Sequence, residues 1–114
     1  DCTLGGGGHA EALLERYPSL YLIAVDQDAA AIERGARRLA RFSTRVAFRR
    51  GNFSEIKAIV AATAPELPEE LRYAPLAVDG VLADLGLSSD QLDDPARGFS
   101  FLTKAPLDMR MNRD

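Results

Sequence analysis

Residues with binding chemistry recur at wide intervals along the chain. Four glycines precede His9 in residues 5–9, and Asp26, Asn52-Phe53 and Asp84 follow at later positions. A glycine-rich turn lets backbone approach a ligand closely and presents N–H groups at the start of a helix. A carboxylate at Asp26 suits the two hydroxyls of a ribose. Together these residues predict a nucleotide-type site.

The later groups extend the same chemistry. The amide of Asn52 and the ring of Phe53 suit the edge and the face of an adenine. Asp84 ends an apolar run with a carboxylate, which is costly to bury unless it is paired, and it suits an amino group on a cofactor or on a substrate. The structural alternatives are a simple tight turn for the glycines, helix caps for the acids and a core position for Phe53.

Strand and helix patterns alternate around these groups. The predicted strands are residues 1–4, 20–25, 45–49 and 77–83, and the predicted helices are 9–17, one capped by Asp28 and one capped by Ser54. This order predicts an α/β fold, a parallel sheet with helices on both faces. The candidate residues fall just after strands, at the sheet edge where such folds bind ligands.

The apolar periodicity predicts which helix faces are buried. In the first helix the stripe is Ala10, Leu13, Leu14 and Tyr17. In the second helix the stripe is Ile32, Ala36, Leu39 and Ala40, and an arginine face lies opposite: Arg34, Arg37, Arg38 and Arg41. These arginines are expected to form a solvent-exposed helix face. The alternative hypothesis is that they contact an RNA backbone.

Bulk composition narrows the function classes. The 114 residues carry a net charge of −3, which gives no global electrostatic case for nucleic acid. No apolar run is long enough for a membrane span, and a lone cysteine, Cys2, is typical of a small buried hydrophobe in a cytoplasmic protein. No metal site is predicted. Both ends appear cut, so we expect a piece of a longer enzyme, and oligomeric state is not predicted.

One alternative nucleotide is NAD. The spacing Gly5-x-Gly7-x-x-Ala10 and the acid Asp26 also fit a dinucleotide fingerprint. A dinucleotide needs small residues after the fourth strand to make room for its second half. Asp84 followed by a polar loop therefore favours methyl transfer over a nicotinamide-linked oxidoreductase. An inactive fragment that binds a nucleotide is the other alternative.

Six motifs in one order complete the pattern. They are DCTLGGGGH at 1–9, GNFS at 51–54, VDGVLADLGLSS at 78–89, QLD at 91–93, RGFSF at 97–101 and PLDMRM at 106–111. In these motifs the chain resembles the bacterial MraW-type, or RsmH-type, methyltransferases. Ala10 and Asp90 depart from the family's common residues.

The resemblance implies a Rossmann-like class I methyltransferase core that uses S-adenosylmethionine. The implied reaction methylates the N4 amine of a cytosine in the 16S rRNA of the small ribosomal subunit. The implied cofactor residues are Gly7, Gly8, His9, Asp26, Phe53, Asp84 and Gln91. Asp84 is also the implied catalytic acceptor.

The resemblance also sets the extent of the domain. Residues 1–114 correspond to a partial methyltransferase domain with about four strands, without the later strands or the inserted helical domain of the family. We expect residues 88–111 to cover the cofactor.

Overall fold

Helices and strands alternate through the part of the chain that the structure describes. The structure, a computed structural model, describes residues 1–72 and 77–84, which belong to one unit spanning Asp1–Asp84. The elements are α1 (Gly8–Arg16), β1 (Leu22–Asp26), α2 (Ala29–Arg38), β2 (Val46–Arg50) and α3 (Ile56–Thr63). Short 3-10 turns join them, the first at Ala40–Arg45. The α/β class predicted from the sequence is confirmed.

A parallel strand pair lies at the centre of this unit. β1 and β2 run parallel, with Leu22 opposite Val46 and Asp26 opposite Arg50. Parallel strands need a crossover, and α2 with the turn after it supplies one. The buried residues of β1 are mostly apolar, as expected for a strand that is covered by other elements.

Backbone hydrogen bonds extend the pair beyond β1. The Leu4 N–H donates to the Val25 carbonyl at 2.9 Å, and the Cys2 N–H donates to the Leu82 carbonyl at 2.8 Å. Residues 1–4 therefore lie between β1 and Leu82. Within the described residues the regular strands number two, fewer than the four predicted. Residues 1–4 bond to β1, and of residues 77–83 the Leu82 carbonyl bonds to Cys2, but neither segment forms a regular ladder.

The core lies where α1 and α2 meet the sheet. Leu14 and Leu39 are fully buried against Leu4, Leu22 and Ala24. Burying a leucine side chain contributes roughly 1.5–3 kcal/mol. These contacts join both helices to β1 and to the segment before the glycines.

The buried stripe of α2 differs from the predicted one. Ala31, Gly35 and Leu39 are buried, whereas Ala36 and Ala40 are exposed. Gly35 carries no side chain to count in an apolar pattern, yet it is where α2 meets Leu4. A Cβ at Gly35 would lie 2.5 Å from Leu4 Cδ2. The helix is therefore rotated relative to the prediction.

Helix ends follow local hydrogen bonds. The Asp28 side chain accepts from the Ala30 N–H and caps α2 as predicted. The predicted Ser54 cap is wrong, because the Asn52 side chain accepts from the Ser54 N–H and begins a 3-10 turn before α3. Tyr17 was predicted to be buried, but it is 53% exposed because α1 ends one residue before it.

Arginine side chains bind α2 and the following turn to α1. Arg38 and Arg41 form ion pairs with Glu11 and Glu15 respectively. Arg45 donates to three backbone carbonyls at the end of α1 and after it: Leu14, Tyr17 and Leu20. Arg37, Arg38 and Arg41 are exposed, as expected for a solvated face, whereas Arg34 is half-buried. The guanidinium groups of Arg38 and Arg41 are engaged within the chain.

The described helices are short. In residues 1–72 and 77–84, none is long and apolar enough to cross a membrane.

Candidate functional site

The glycine turn leads directly into α1. Gly5 and Gly7 have positive φ angles of 55° and 85°, a region that side chains rarely adopt. The Gly7 N–H donates to the Leu4 carbonyl at 2.9 Å, and α1 begins at Gly8. The first N–H groups of a helix have no partner within the helix. The turn therefore presents backbone donors beside the end of residues 1–4.

Asp26 ties three turns together at the end of β1. Asp26 is buried, with only 8% of its surface exposed to solvent. One carboxylate oxygen accepts from the Gly5 N–H and the other from the Asp28 N–H, both at 2.9 Å. Its carbonyl accepts from the Gly51 N–H at 3.0 Å. This turn-binding role was missed in the sequence, where Asp26 was predicted as a ribose acceptor.

The Asp26 carboxylate keeps acceptor capacity after these bonds. Each carboxylate oxygen has two lone pairs, and each accepts one of the two backbone bonds just described. Its ribose role stays a prediction that the donor pattern permits.

His9 and Asp84 meet at the far side of the glycine turn. His9 Nε2 lies 3.5 Å from Asp84 Oδ2, and both side chains are about two-thirds exposed. The Asp84 N–H donates to Thr3 Oγ1 at 2.7 Å. The predicted convergence of Asp84 with the glycine turn is therefore present in the structure. Thr3 was not singled out in the sequence, although it lies within the first motif.

Phe53 and Asn52 follow β2. Phe53 is 43% exposed, so it is not a core residue. The Asn52 Oδ1 accepts from the Ser54 N–H at 3.0 Å, and this bond makes Asn52 a turn cap. Gly51 bonds to Asp26, which joins the Phe53 turn to the glycine turn through one residue. Gln91 and the predicted covering segment 88–111 lie outside the described residues.

Arg38 is a further residue at the turn. Its Nη1 donates to the Gly6 carbonyl at 3.1 Å and its Nη2 approaches Glu11 Oε1 at 3.4 Å. With the observed stripe of α2 through Gly35 and Leu39, Arg38 flanks the buried face instead of lying opposite it. The predicted stripe through Ala36 placed Arg38 on the opposite face, so its contact with the glycine turn was not predicted.

Comparison with known proteins identifies the family. A family model described as the MraW methylase family matches residues 1–114. The chain belongs to the MraW methylase family. The resemblance drawn from the six motifs is thereby confirmed.

Curated relatives of this MraW methylase chain carry one name, ribosomal RNA small subunit methyltransferase H. The protein of Wolinella succinogenes is 52% identical over 98% of this chain and 32% of its own length. Those of Nautilia profundicola and Fusobacterium nucleatum are 49% and 45% identical over 99% and 100% of this chain, and over 33% of their own lengths. The chain thus spans about a third of these relatives.

A large cavity in this MraW methylase chain lies beside the site. It has a volume of about 1160 Å³ and runs along residues 77–82. Its lining is mostly apolar and includes Leu13, Tyr17, Leu20 and Val81. Of the predicted cofactor residues that the structure describes, it includes only His9. The cavity is therefore distinct from the site formed by the turns around Asp26.

Proposed function

We propose that this chain forms the S-adenosylmethionine site of an rRNA methyltransferase. The observation that carries the proposal is the meeting of the glycine turn, Asp26 and Asp84 in a member of the MraW methylase family. The name of the curated relatives supports rRNA of the small subunit as the substrate. The proposed target is the N4 amine of a cytosine in 16S rRNA, which places the enzyme in the cytoplasm.

A Rossmann-like class I core is part of the proposal. The neighbour order β2, β1, residues 1–4 and Leu82 supports it. In an open α/β sheet, the ligand crevice lies where the chain switches from one side of the first strand to the other. Here the first strand corresponds to residues 1–4, which have β1 on one side and Leu82 on the other, and the glycine turn follows them. Residues 1–114 are the proposed partial domain, and the later strands and the inserted helical domain belong to the longer relatives.

The residues present fit the proposed cofactor. The N–H groups at Gly8 and His9 open α1 and suit its polar groups. Asp26 suits the ribose and the exposed ring of Phe53 suits the adenine. Asp84 is proposed to complete the site together with Gln91. Glycine suits position 7 of this turn, since a side chain there would need a strained φ.

The chemistry proposed for this chain is mainly positioning. Bound S-adenosylmethionine would supply the methyl group on a sulfonium. The N4 lone pair of cytosine is shared with its ring, so an acceptor on the amine must orient it and take up developing positive charge. The exposed Asp84 carboxylate is the proposed acceptor, and His9 at 3.5 Å helps to fix its direction. Binding the cofactor's ammonium is the competing role for Asp84.

Calorimetry with the full chain tests the cofactor. We expect binding of S-adenosylhomocysteine and no binding of NAD, because the sequence has Asp84 where a dinucleotide needs a small residue to make room for its second half. Binding of NAD alone would refute the proposal and support an oxidoreductase.

The variant Asp84→Asn separates the two roles of Asp84. If Asp84 acts on the substrate amine, the affinity for S-adenosylhomocysteine stays within about twofold. If it holds the cofactor's ammonium, the affinity falls by tenfold or more, since a charge-assisted hydrogen bond contributes about 1.5–3 kcal/mol. His9→Gln tests the neighbouring contact separately, because it replaces the imidazole beside Asp84 and keeps the carboxylate.

A further inference from the structure

Arg38 reaches from the end of α2 to the glycine turn. Its Nη1 donates to the Gly6 carbonyl at 3.1 Å. Its Cδ lies 3.4 Å from the position that a Cβ on Gly7 would take, so the aliphatic part of the side chain packs against the turn. Its Nη2 approaches Glu11 on α1 at 3.4 Å. One side chain thus contacts the turn and the helix that follows it.

The contact with Gly6 fixes one particular peptide plane. The Gly6 carbonyl and the Gly7 N–H belong to the same planar unit and point in opposite directions. Arg38 binds the carbonyl end, and the Leu4 carbonyl accepts from the N–H end at 2.9 Å. Glycine has unusually large backbone freedom, so a plane between two glycines gains little order from its own residues. Bonds at both ends supply that order.

The direction of this plane determines how α1 begins. Gly7 is the residue immediately before α1, and the N–H groups of Gly8 and His9 follow from its conformation. A rotation of the Gly6–Gly7 peptide would turn these donors away from a ligand. The geometry points to Arg38 as a positioning residue that holds the glycine turn ready for the cofactor, an inference that rests on the proposed function.

Arg41 offers the matched comparison. It is also partly exposed and forms an ion pair with α1 through Glu15, but its bonds go to Glu15 and Glu11 and not to the glycine turn. Exposed ion pairs contribute little to stability, about 0–1 kcal/mol. A purely structural role for Arg38 would therefore give Arg38→Met and Arg41→Met the same phenotype.

The planar fork of arginine suits the Arg38 position better than lysine. The guanidinium reaches the Gly6 carbonyl and the Glu11 carboxylate at once, through two different nitrogens. Lysine presents one ammonium on a flexible stem, so it keeps the charge and a donor but holds the Gly6 carbonyl less firmly. Arg38→Lys is therefore expected to fall between the wild-type chain and Arg38→Met.

The test measures the affinity for S-adenosylhomocysteine by calorimetry on the full chain. We expect Arg38→Met to weaken binding about tenfold, equivalent to about 1.4 kcal/mol. Arg38→Lys should weaken binding about threefold, and Arg41→Met should stay within twofold of the wild-type chain. Glu11→Gln should also stay within twofold, because it leaves the bond to Gly6 in place. Urea unfolding identifies any variant that is not folded.

A second readout needs no ligand. Amide hydrogen exchange measured by NMR should be about tenfold faster at the Gly7 N–H in Arg38→Met, and unchanged in Arg41→Met. Equal exchange and equal affinity in the two variants would overturn the inference. Faster exchange in Arg38→Met, with no binding of S-adenosylhomocysteine by the wild-type chain, would overturn the proposed function and keep the positioning role.

Discussion

The close contact between Gly35 and Leu4 gives the sharpest stability prediction. Gly35→Ala places a Cβ 2.5 Å from Leu4 Cδ2 and 3.2 Å from Leu4 Cγ. Alanine favours a helix interior over glycine by about 0.5–1 kcal/mol. Overpacking in a close-packed core costs about 1–3 kcal/mol. Leu4 is only 4% exposed and has little room to move, so the steric term should win.

The net loss expected for Gly35→Ala is therefore about 0.5–2 kcal/mol, measured by urea unfolding. Domains of about this size lose roughly 4–8 °C in Tm per kcal/mol. Leu4→Ala provides the control, because it removes all three Leu4 atoms that the new Cβ would meet. In that background Gly35→Ala should stabilise by about 0.5–1 kcal/mol, the helix preference alone.

This sign change between backgrounds is the critical result. If Gly35→Ala stabilises the wild-type chain and the Leu4→Ala chain equally, α2 does not pack on Leu4 through Gly35. The rotated stripe of α2, and the placement of Arg38 that follows from it, would then be wrong.

Three further predictions follow from local geometry. Gly7→Ala should weaken binding of S-adenosylhomocysteine and lower stability by about 1–2 kcal/mol in urea unfolding, because its φ of 85° disfavours a side chain; unchanged values would contradict the turn described above. Asp28→Ala should cost about 1 kcal/mol of unfolding free energy through loss of the α2 cap, and Asp28→Asn should recover most of it; equal losses would argue against capping. Thr3→Val removes the acceptor for the Asp84 N–H and should speed amide exchange at Asp84 at least threefold, whereas Thr3→Ser should restore the wild-type rate; failure of serine to rescue would show that the hydroxyl is not the reason.

Local patterns in the sequence predicted much of this unit. The apolar run before Asp26 and the alternation before Arg50 predicted β1 and β2 to within about two residues, since strands carry their burial in the side-chain pattern. Asp28 was predicted as a cap because its type and position are sufficient for that bond. The ordered motifs predicted the family for the same reason: they depend on residue identity alone.

Features that depend on packing were harder to predict. Gly35 lies in the core because it has no side chain to collide with Leu4. A pattern of apolar side chains does not register glycine, so Ala36 was assigned to the buried stripe of α2 instead. Because the predicted stripe ran through Ala36 and not through Gly35, Arg38 was predicted to lie on the face opposite the core, away from the glycine turn. The strand order predicted that Asp84 and the glycine turn share one edge of the sheet, but it did not predict the direct contact between His9 and Asp84.

The bonds at Asp26 have a consequence for how the site opens. Its carboxylate and carbonyl serve as common acceptors for Gly5, Asp28 and Gly51, which begin or occupy three separate turns. Loops that share one anchor lose their protection against solvent in the same event, so they behave as a single unit of local unfolding. The three amides should therefore show matching protection factors, and a ligand that binds any one of these turns should raise all three.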